Sequence, residues 1–230
     1  MYLGKRKILT FSFDDGITQD IRLIKLFNKY GMKATFNINS ELLGKDGELF
    51  LEGVAISHVK NKPQDIKSIY VGHEVAVHTL THPNLQRVLD DAEVVRQVEQ
   101  DRINLSDLCG YEVVGMAYPC GGFCYDQRVI DLIRRNTGVK YARAASFSGN
   151  FEFPTELLEI YPSVGCHLDK MFELGEKFLK LEADSPQIFY VCGHSFEFDI
   201  HNEWARFEDF LQMMSGRSDI RYCTNKEAFL

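Results

Sequence analysis

The stretch LTFSFDDG, residues 9–16, combines an alternating apolar run with two adjacent carboxylates and a glycine. Phe11 and Phe13 alternate with small polar residues, which is typical of a β-strand. Neighbouring strand residues point to opposite faces, so Asp14 and Asp15 are expected to meet different environments. The stretch therefore predicts a buried strand whose carboxyl end carries two acids with separate roles.

Strand and helix patterns alternate along the rest of the chain. Alternating apolar runs predict strands over residues 7–13, 34–38, 73–78, 113–118, 141–145, 187–192 and 220–222, with one or two more within 158–166. Apolar residues at helical spacing predict helices over 20–30, 91–108, 126–136, 168–181 and 203–214. The segment 40–70 is predicted as a hairpin or irregular insertion with a short helix near 65–70.

This alternation predicts an α/β fold with a parallel sheet, and about seven such units predict closure into a distorted (β/α) barrel. No shift in composition marks a boundary, so residues 1–230 are expected to form a single catalytic domain.

Composition and charge exclude several classes of partner. The formal net charge of −7 provides no basic footprint for nucleic acid. No apolar run is long enough to span a membrane, and the N-terminal residues lack the apolar core of a signal peptide. We therefore expect no membrane partner and a cytoplasmic location. The six cysteines are expected to be free thiols, because no second close cysteine or histidine pair completes a structural zinc site.

Polar residues recur where predicted strands end. The third of these strands ends in HTLTH, the fourth in YPCGG, and a late strand in CGHSFE. In barrels of this kind the chemistry gathers at the carboxyl ends of the strands. The pattern indicates an active site built from several strand ends.

His78 and His82 are candidate metal ligands. Their separation of four residues predicts that both rings lie on one side of a helical turn. Together with Asp15 they make a three-ligand set with an open position, which is typical of catalytic metal sites. Zinc is expected first, with cobalt, nickel or iron also compatible. Asp14 would then remain free to act as a base on water. Taken alone, the histidines could be surface residues and the acids a helix cap.

These motifs resemble those of the NodB-homology polysaccharide deacetylases, which include chitin and peptidoglycan deacetylases. SFDDG, residues 12–16, matches the family's T-F-D-D-G with serine for threonine, and HTLTH, residues 78–82, matches H-S/T-x-x-H in full. The resemblance runs from Lys7 to the last predicted strand, and it implies a deacetylase barrel of the type that is shared with glycoside hydrolases.

The resemblance implies a role for each matching residue. Asp14 would be the general base, and Asp15, His78 and His82 would bind a divalent metal. In VCGHS, His194 stands where the family's leucine-x-histidine motif has its general acid, with a cysteine in place of the leucine.

Two family motifs are altered. The family's R-x-P-Y-G reads AYPCGG here, so Cys120 stands in place of tyrosine, and the arginine is missing. Tyr118 and Cys120 remain candidates for contacting the substrate or the oxyanion, for which a backbone N–H suffices. Arg143 is the candidate replacement for the arginine, with a structural ion pair as the alternative. The fourth motif has no clear match, and His167 and Glu197 are further candidates for the pocket.

The leading hypothesis is a metal-dependent hydrolase of a non-peptide C–N bond that removes acetyl from an N-acetylated sugar or oligosaccharide. One alternative is an amidase acting on a small molecule such as a cyclic ureide. Another is a catalytically silent barrel that binds a glycan, suggested by the altered motifs. An open aromatic groove would favour a glycan, and a pocket capped by the segment 40–70 would favour a small molecule.

Overall fold

A parallel sheet organises the protein, whose computed structural model describes residues 6–230. The strands are β1 (Lys7–Asp14), β2 (Thr35–Ile38), β3 (Glu48–Leu51), β4 (Val54–Ser57), β5 (Glu74–Val77), β6 (Gly115–Ala117), β7 (Tyr141–Arg143), β8 (Val164–Gly165), β9 (Gln187–Gly193) and β10 (Ile220–Tyr222). The helices are α1 (Asp20–Lys29), α2 (Ile66–Ile69), α3 (Asp91–Cys109), α4 (Gln127–Asn136), α5 (Lys170–Lys180), α6 (Glu197–Ile200), α7 (Trp204–Met214) and α8 (Asn225–Phe229). Short 3₁₀ helices span Ser40–Leu42, Pro63–Asp65 and Leu85–Arg87.

Strand β1 lies at the centre of the sheet, whose order is β7-β6-β5-β2-β1-β9-β8 with parallel pairing. β9 pairs with β1 along its length, and Phe13 lies opposite Gly193 near the end of this ladder. β10 pairs with the start of β1, and β2 with its end. A bridge between Arg143 and Ile160 connects β7 to the segment leading into β8, so the sheet curls toward a ring. The predicted distorted barrel of about seven parallel strands is confirmed.

One face of β1 packs against the helical layer. The ring of Phe11 lies 4.8 Å from that of Phe27 in α1, and the ring of Phe13 lies 5.9 Å from that of Phe207 in α7. All four rings are buried. Burying such a side chain contributes about 1.5–3 kcal/mol to stability, so this aromatic cluster fixes β1 against α1 and α7.

The other face of β1 is polar although it is equally buried. Thr10 donates a hydrogen bond to the carbonyl of Cys223 at 2.8 Å, and Ser12 accepts one from the Asn37 side chain at 2.7 Å. Asp14 shares this face because strand residues two apart point the same way. The alternation seen in the sequence thus carries Asp14 into a polar interior.

Most elements agree with the sequence prediction, and two short helices differ from it. Residues 158–166 form only the two-residue strand β8 and the bridge at Ile160. Helices α6 and α8 were not predicted, although α8 begins with a capping box formed by Thr224 and Glu227, a signal the sequence contains. The predicted insertion contains the hairpin β3–β4 and the short helix α2.

Two smaller expectations concern cysteines and membranes. All six cysteines lie in the described part of the chain, and none of them forms a disulfide there. Between residues 6 and 230, no helix is both long enough and apolar enough to cross a membrane.

Candidate active site

The two adjacent acids are turned apart by their backbone. Asp14 follows the strand, whereas Asp15 has a left-handed backbone with φ 84°, which costs about 1–3 kcal/mol for a non-glycine residue. The Asp15 N–H donates to the carbonyl of Asn37 at 2.9 Å. Gly16 is also left-handed, and a Cβ there would lie 2.9 Å from Ile38. The sequence DDG therefore forms a tight turn that points the carboxylates to different partners.

Asp14 is a buried carboxylate with two fixed partners. Its Oδ1 accepts a hydrogen bond from Asn37 at 2.8 Å, and its Oδ2 forms an ion pair with Arg143. Burial by itself would raise the pKa of Asp14, but the charges of Arg143, His78 and His194 outweigh it and lower the pKa. Asp14 is therefore an anion at neutral pH.

Asp15 has a different set of neighbours. His58 donates to its Oδ2 at 3.0 Å, and the Lys60 ammonium lies 3.4 Å from its Oδ1. His82 Nε2 lies 3.9 Å from the same Oδ1. Burial would raise the pKa of Asp15, but the hydrogen bond from His58 and the charges of His194 and Lys60 hold it well below its usual value.

The two histidines of HTLTH are brought together by a loop, so the predicted helical turn is wrong. His78 follows β5, and Thr79 and His82 have left-handed backbones with φ 68° and 61°. The loop is held by hydrogen bonds from Leu80 N–H to the Gln97 carbonyl and from His82 N–H to the Thr79 hydroxyl. The ring centroids of His78 and His82 lie 4.8 Å apart.

His78 is oriented as a metal ligand would be. Its Nδ1–H donates to the carbonyl of Ala117 at 2.9 Å. Its Nε2 is buried and has no hydrogen-bond partner among residues 6–230. Burial lowers the pKa of His78 to about 4, so the ring is neutral and Nε2 presents a lone pair. One donor atom each from Asp15, His78 and His82 lie within 4.8 Å of one another. These residues fit a divalent cation.

His194 extends from the end of β9 toward both acids. Its Nε2 lies 3.9 Å from Asp14 Oδ2 and 3.9 Å from Asp15 Oδ2. Its Nδ1–H donates to Glu197 Oε1 at 3.1 Å. Burial would lower the pKa of His194, but the hydrogen bond to Glu197 and the charge of Asp14 raise it to about 9. His194 is therefore protonated at neutral pH.

Glu197, the first residue of α6, anchors this side of the site. Besides the His194 ring it accepts hydrogen bonds from the His194 N–H at 3.2 Å and the Cys166 thiol at 3.1 Å. His167 Nδ1 lies 3.4 Å from Glu197 Oε2. Burial would raise the pKa of Glu197, but the hydrogen bonds from His167 and His194 lower it far below its usual value. The carboxylate therefore stays charged beside His194.

A cleft of about 330 Å³ lies over these groups, and we call it the central cleft. Nine of the ten candidate site residues line it, namely Asp14, His78, His82, Tyr118, Cys120, Arg143, His167, His194 and Glu197. Asp15 instead lines an adjoining cleft of about 430 Å³ on the side of the β3–β4 hairpin. The sequence candidates thus meet at one end of the barrel.

Tyr118 and Cys120 form a wall of the central cleft. The Tyr118 hydroxyl donates to the Leu158 carbonyl at 3.0 Å, and its ring stacks on Tyr125 with centroids 4.0 Å apart. Cys120 has a left-handed backbone with φ 66°, and its Sγ lies 3.8 Å from His82 Nδ1. Burial raises the pKa of the Cys120 thiol.

Three residues of the site were missed by the sequence analysis. Asn37 lies in β2 directly opposite Asp14, and a polar residue within a buried strand was the signal for it. His58 and Lys60 lie in the segment 40–70, where no motif or periodicity singled them out.

Comparison with known proteins agrees with this fold. The family model described as "Polysaccharide deacetylase" matches residues 3–142. No curated protein matches the chain by sequence.

Among solved structures, the chain is similar to Puue allantoinase, with a TM-score of 0.71 at 12% identity over 98% of this chain and 90% of the other. It is equally similar to a probable polysaccharide deacetylase from Pseudomonas aeruginosa PAO1, with a TM-score of 0.71 at 13% identity over 97% and 89%. An acetyl xylan esterase from Clostridium thermocellum in complex with a cobalt ion gives a TM-score of 0.59 at 13% identity over 96% and 90%. These likenesses show the fold, and the family match, which includes the acid pair and both histidines of HTLTH, shows that the chain belongs to the polysaccharide deacetylase family.

Proposed function

We propose that this protein is a divalent-metal-dependent hydrolase that removes acetyl from the amide nitrogen of an N-acetylated sugar. Membership of the deacetylase family supports hydrolysis of an acetyl or amide bond. The observation that carries the proposal is the placement of the Asp14 carboxylate and the His194 ring 3.9 Å apart, beside a convergent set of three donors. Residues 1–230 act as one catalytic domain in this proposal.

Asp15, His78 and His82 would hold the cation, with zinc as the first expectation. When bound, the ion supplies Lewis acidity that polarises the amide carbonyl and acidifies water. The tautomer of His78 supports this assignment, because Nδ1–H is held by the Ala117 carbonyl and leaves Nε2 unprotonated, with no hydrogen-bond partner among residues 6–230.

Asp14 is the general base in this mechanism. It takes the proton from the attacking water, for which an anion in a fixed position is needed. Asn37 and Arg143 hold its two oxygens, so the carboxylate needs no reorganisation during the reaction. Arg143 thereby takes the part of the arginine that is missing at Ala117.

His194 is the general acid. It carries a proton at neutral pH and donates it from Nε2 to the departing amine, so that the C–N bond breaks to a neutral amine. Glu197 holds the opposite ring nitrogen and stabilises the charged ring. His167 contacts the same carboxylate of Glu197 and acts on His194 through it. The Cys120 N–H is the candidate donor to the developing oxyanion, with Tyr118 shaping the wall beside it.

A small cyclic amide is the second candidate substrate. The central cleft has a volume of about 330 Å³, near the lower end of the range for small-molecule sites. Such a volume suits one sugar ring or one small heterocycle. A terminal sugar or a cyclic ureide would fill this cleft alone, whereas a longer glycan would also occupy the adjoining cleft, which shares His82.

The test is an assay of purified protein stripped of metal with a chelator and then restored with Zn²⁺ or Co²⁺. Acetate release is measured from N-acetylglucosamine oligomers of increasing length, and ring opening from cyclic ureides. We expect activity that depends on the added metal and is highest on short acetylated sugars. Full activity in the stripped protein would overturn the metal mechanism. Tight metal binding with no hydrolysis of any of these compounds would indicate the silent, glycan-binding alternative.

A further inference from the structure

The segment 44–61, which we call the insertion hairpin, is fixed to the turn that carries Asp15. Thr18 N–H donates to the Val59 carbonyl at 2.9 Å, and Asn61 N–H donates to the Gly16 carbonyl at 2.9 Å. These bonds fall on either side of Lys60, whose position relative to Asp15 is therefore set by the backbone.

The side chain of Lys60 is buried against Asp15. Its ammonium donates to the Asp15 backbone carbonyl at 2.9 Å and lies 3.4 Å from the Oδ1 of the same residue. Only 6% of the Lys60 side chain is exposed. Because a buried charge must be paired, this contact is a fixed part of the site.

Lys60 completes a balance of charge in the site. Asp14 is paired with Arg143. Asp15 has Lys60. A divalent cation would therefore enter a site whose two adjacent acids are already matched by fixed positive charges.

The oxygen of Asp15 next to Lys60 is also the one that faces His82, at 3.9 Å from Nε2. A cation held by Asp15 and His82 would meet the repulsion of the ammonium, which is strong between buried groups a few ångströms apart. We propose that Lys60 is a positioning residue that weakens the affinity of the Asp15–His78–His82 set for divalent cations. The insertion hairpin thereby sets how tightly this protein holds its metal. The inference rests on the proposed metal site.

The test is isothermal titration of Zn²⁺ and, separately, Co²⁺ into chelator-stripped protein at constant pH. Two variants, Lys60→Gln and Lys60→Met, remove the charge, and glutamine keeps a donor for the Asp15 carbonyl. We expect both to bind the ions at least about tenfold more tightly than the wild type. The matched control is Lys62→Gln, since Lys62 is an exposed lysine two residues from Lys60 that does not line the cleft of Asp15. It should change the affinity by less than about twofold.

The outcomes distinguish the role of Lys60 from the existence of the metal site. If the wild type binds the ions and folded Lys60 variants bind no more tightly, the inference about Lys60 is overturned while the metal site stands. If neither the wild type nor the variants bind, the proposed function itself fails. Thermal melting followed by circular dichroism establishes that the variants are folded. His82→Ala, which removes a proposed ligand, should lower the affinity in every background.

Discussion

The two faces of β1 and β9 have the same burial and opposite chemistry. On the outer face, Phe11, Phe13 and Phe189 pack into rings from the helical layer. On the inner face, Ser12 leads to Asp14, and the neighbouring strand leads to His194. The aromatic face thus stabilises the strands by packing, while the polar face holds ionisable groups that are paired, such as Asp14 with Arg143 and His194 with Glu197. Three substitutions test whether the outer face controls stability and the inner face controls turnover, independently of each other.

The largest effect is expected from Asp14→Asn on the inner face. Asparagine has the same shape but accepts no proton, so turnover should fall about a thousandfold, within the range measured for general bases. The metal should still bind, since Asp14 is not a proposed ligand, but more weakly than in the wild type, because a negative charge 3.9 Å from His78 Nε2 is lost. The measurement is kcat of acetate release, normalised to the folded fraction, together with metal titration.

The control for this variant is Asp107→Asn, at an exposed position on α3. It should retain wild-type turnover. If Asp14→Asn also retained it, another group would have to be the base, and the functional distinction between the faces would be lost.

A smaller effect in free energy is expected from Phe13→Ala on the outer face. Phe13 is fully buried among aromatic rings, so the loss of its contacts should lower the free energy of unfolding by about 3–4 kcal/mol. Urea-induced unfolding measures this change. Turnover per folded molecule should stay within about threefold of the wild type. A loss of turnover as large as that of Asp14→Asn, in protein shown to be folded, would mean that packing on the outer face controls the chemistry directly.

The smallest effect is expected from Glu197→Gln, and it appears in the pH profile. The proposed mechanism requires the acid form of His194, whose pKa is raised by the hydrogen bond to Glu197 and the charge of Asp14, so kcat should fall on the alkaline side as His194 loses its proton. Glutamine removes the charge that helps to raise this pKa. The alkaline limb should therefore move to lower pH by about one unit.

The matched control is Glu176→Gln, which neutralises an exposed glutamate on α5. It should leave the alkaline limb in place. An unmoved limb in Glu197→Gln would show that His194 does not limit the reaction in this range, or that Glu197 does not set its pKa.

The sequence predicts the barrel and most of the site because both follow from local patterns. Alternation in β1 assigns Phe13 and Asp14 to opposite faces. Arg143 ends a predicted strand, and residues at the carboxyl ends of barrel strands are expected in the active site, so it was a candidate although the arginine motif is altered. The geometry of HTLTH was predicted incorrectly because left-handed residues at Thr79 and His82 replace the helical turn. The hydrophobic periodicity of a sequence does not indicate which loop residues have a left-handed backbone.

The contacts of Asp15 could not be predicted for a different reason. His58 and Lys60 lie 43 and 45 residues further along the chain, in an insertion without a motif. Their contact with Asp15 depends on how the hairpin returns to the barrel. These contacts are visible only in the three-dimensional structure.

The register between β1 and β9 has a consequence for the evolution and engineering of this chain. Asp14 and His194 each follow the paired residues Phe13 and Gly193, so the distance between them depends on a single hydrogen-bond ladder. Deleting one residue within β9 would shift His194 by about 3.3 Å and turn it to the opposite face of the sheet. Length variation should therefore be tolerated in the connection before β9, over residues 181–186, and excluded from the strand itself.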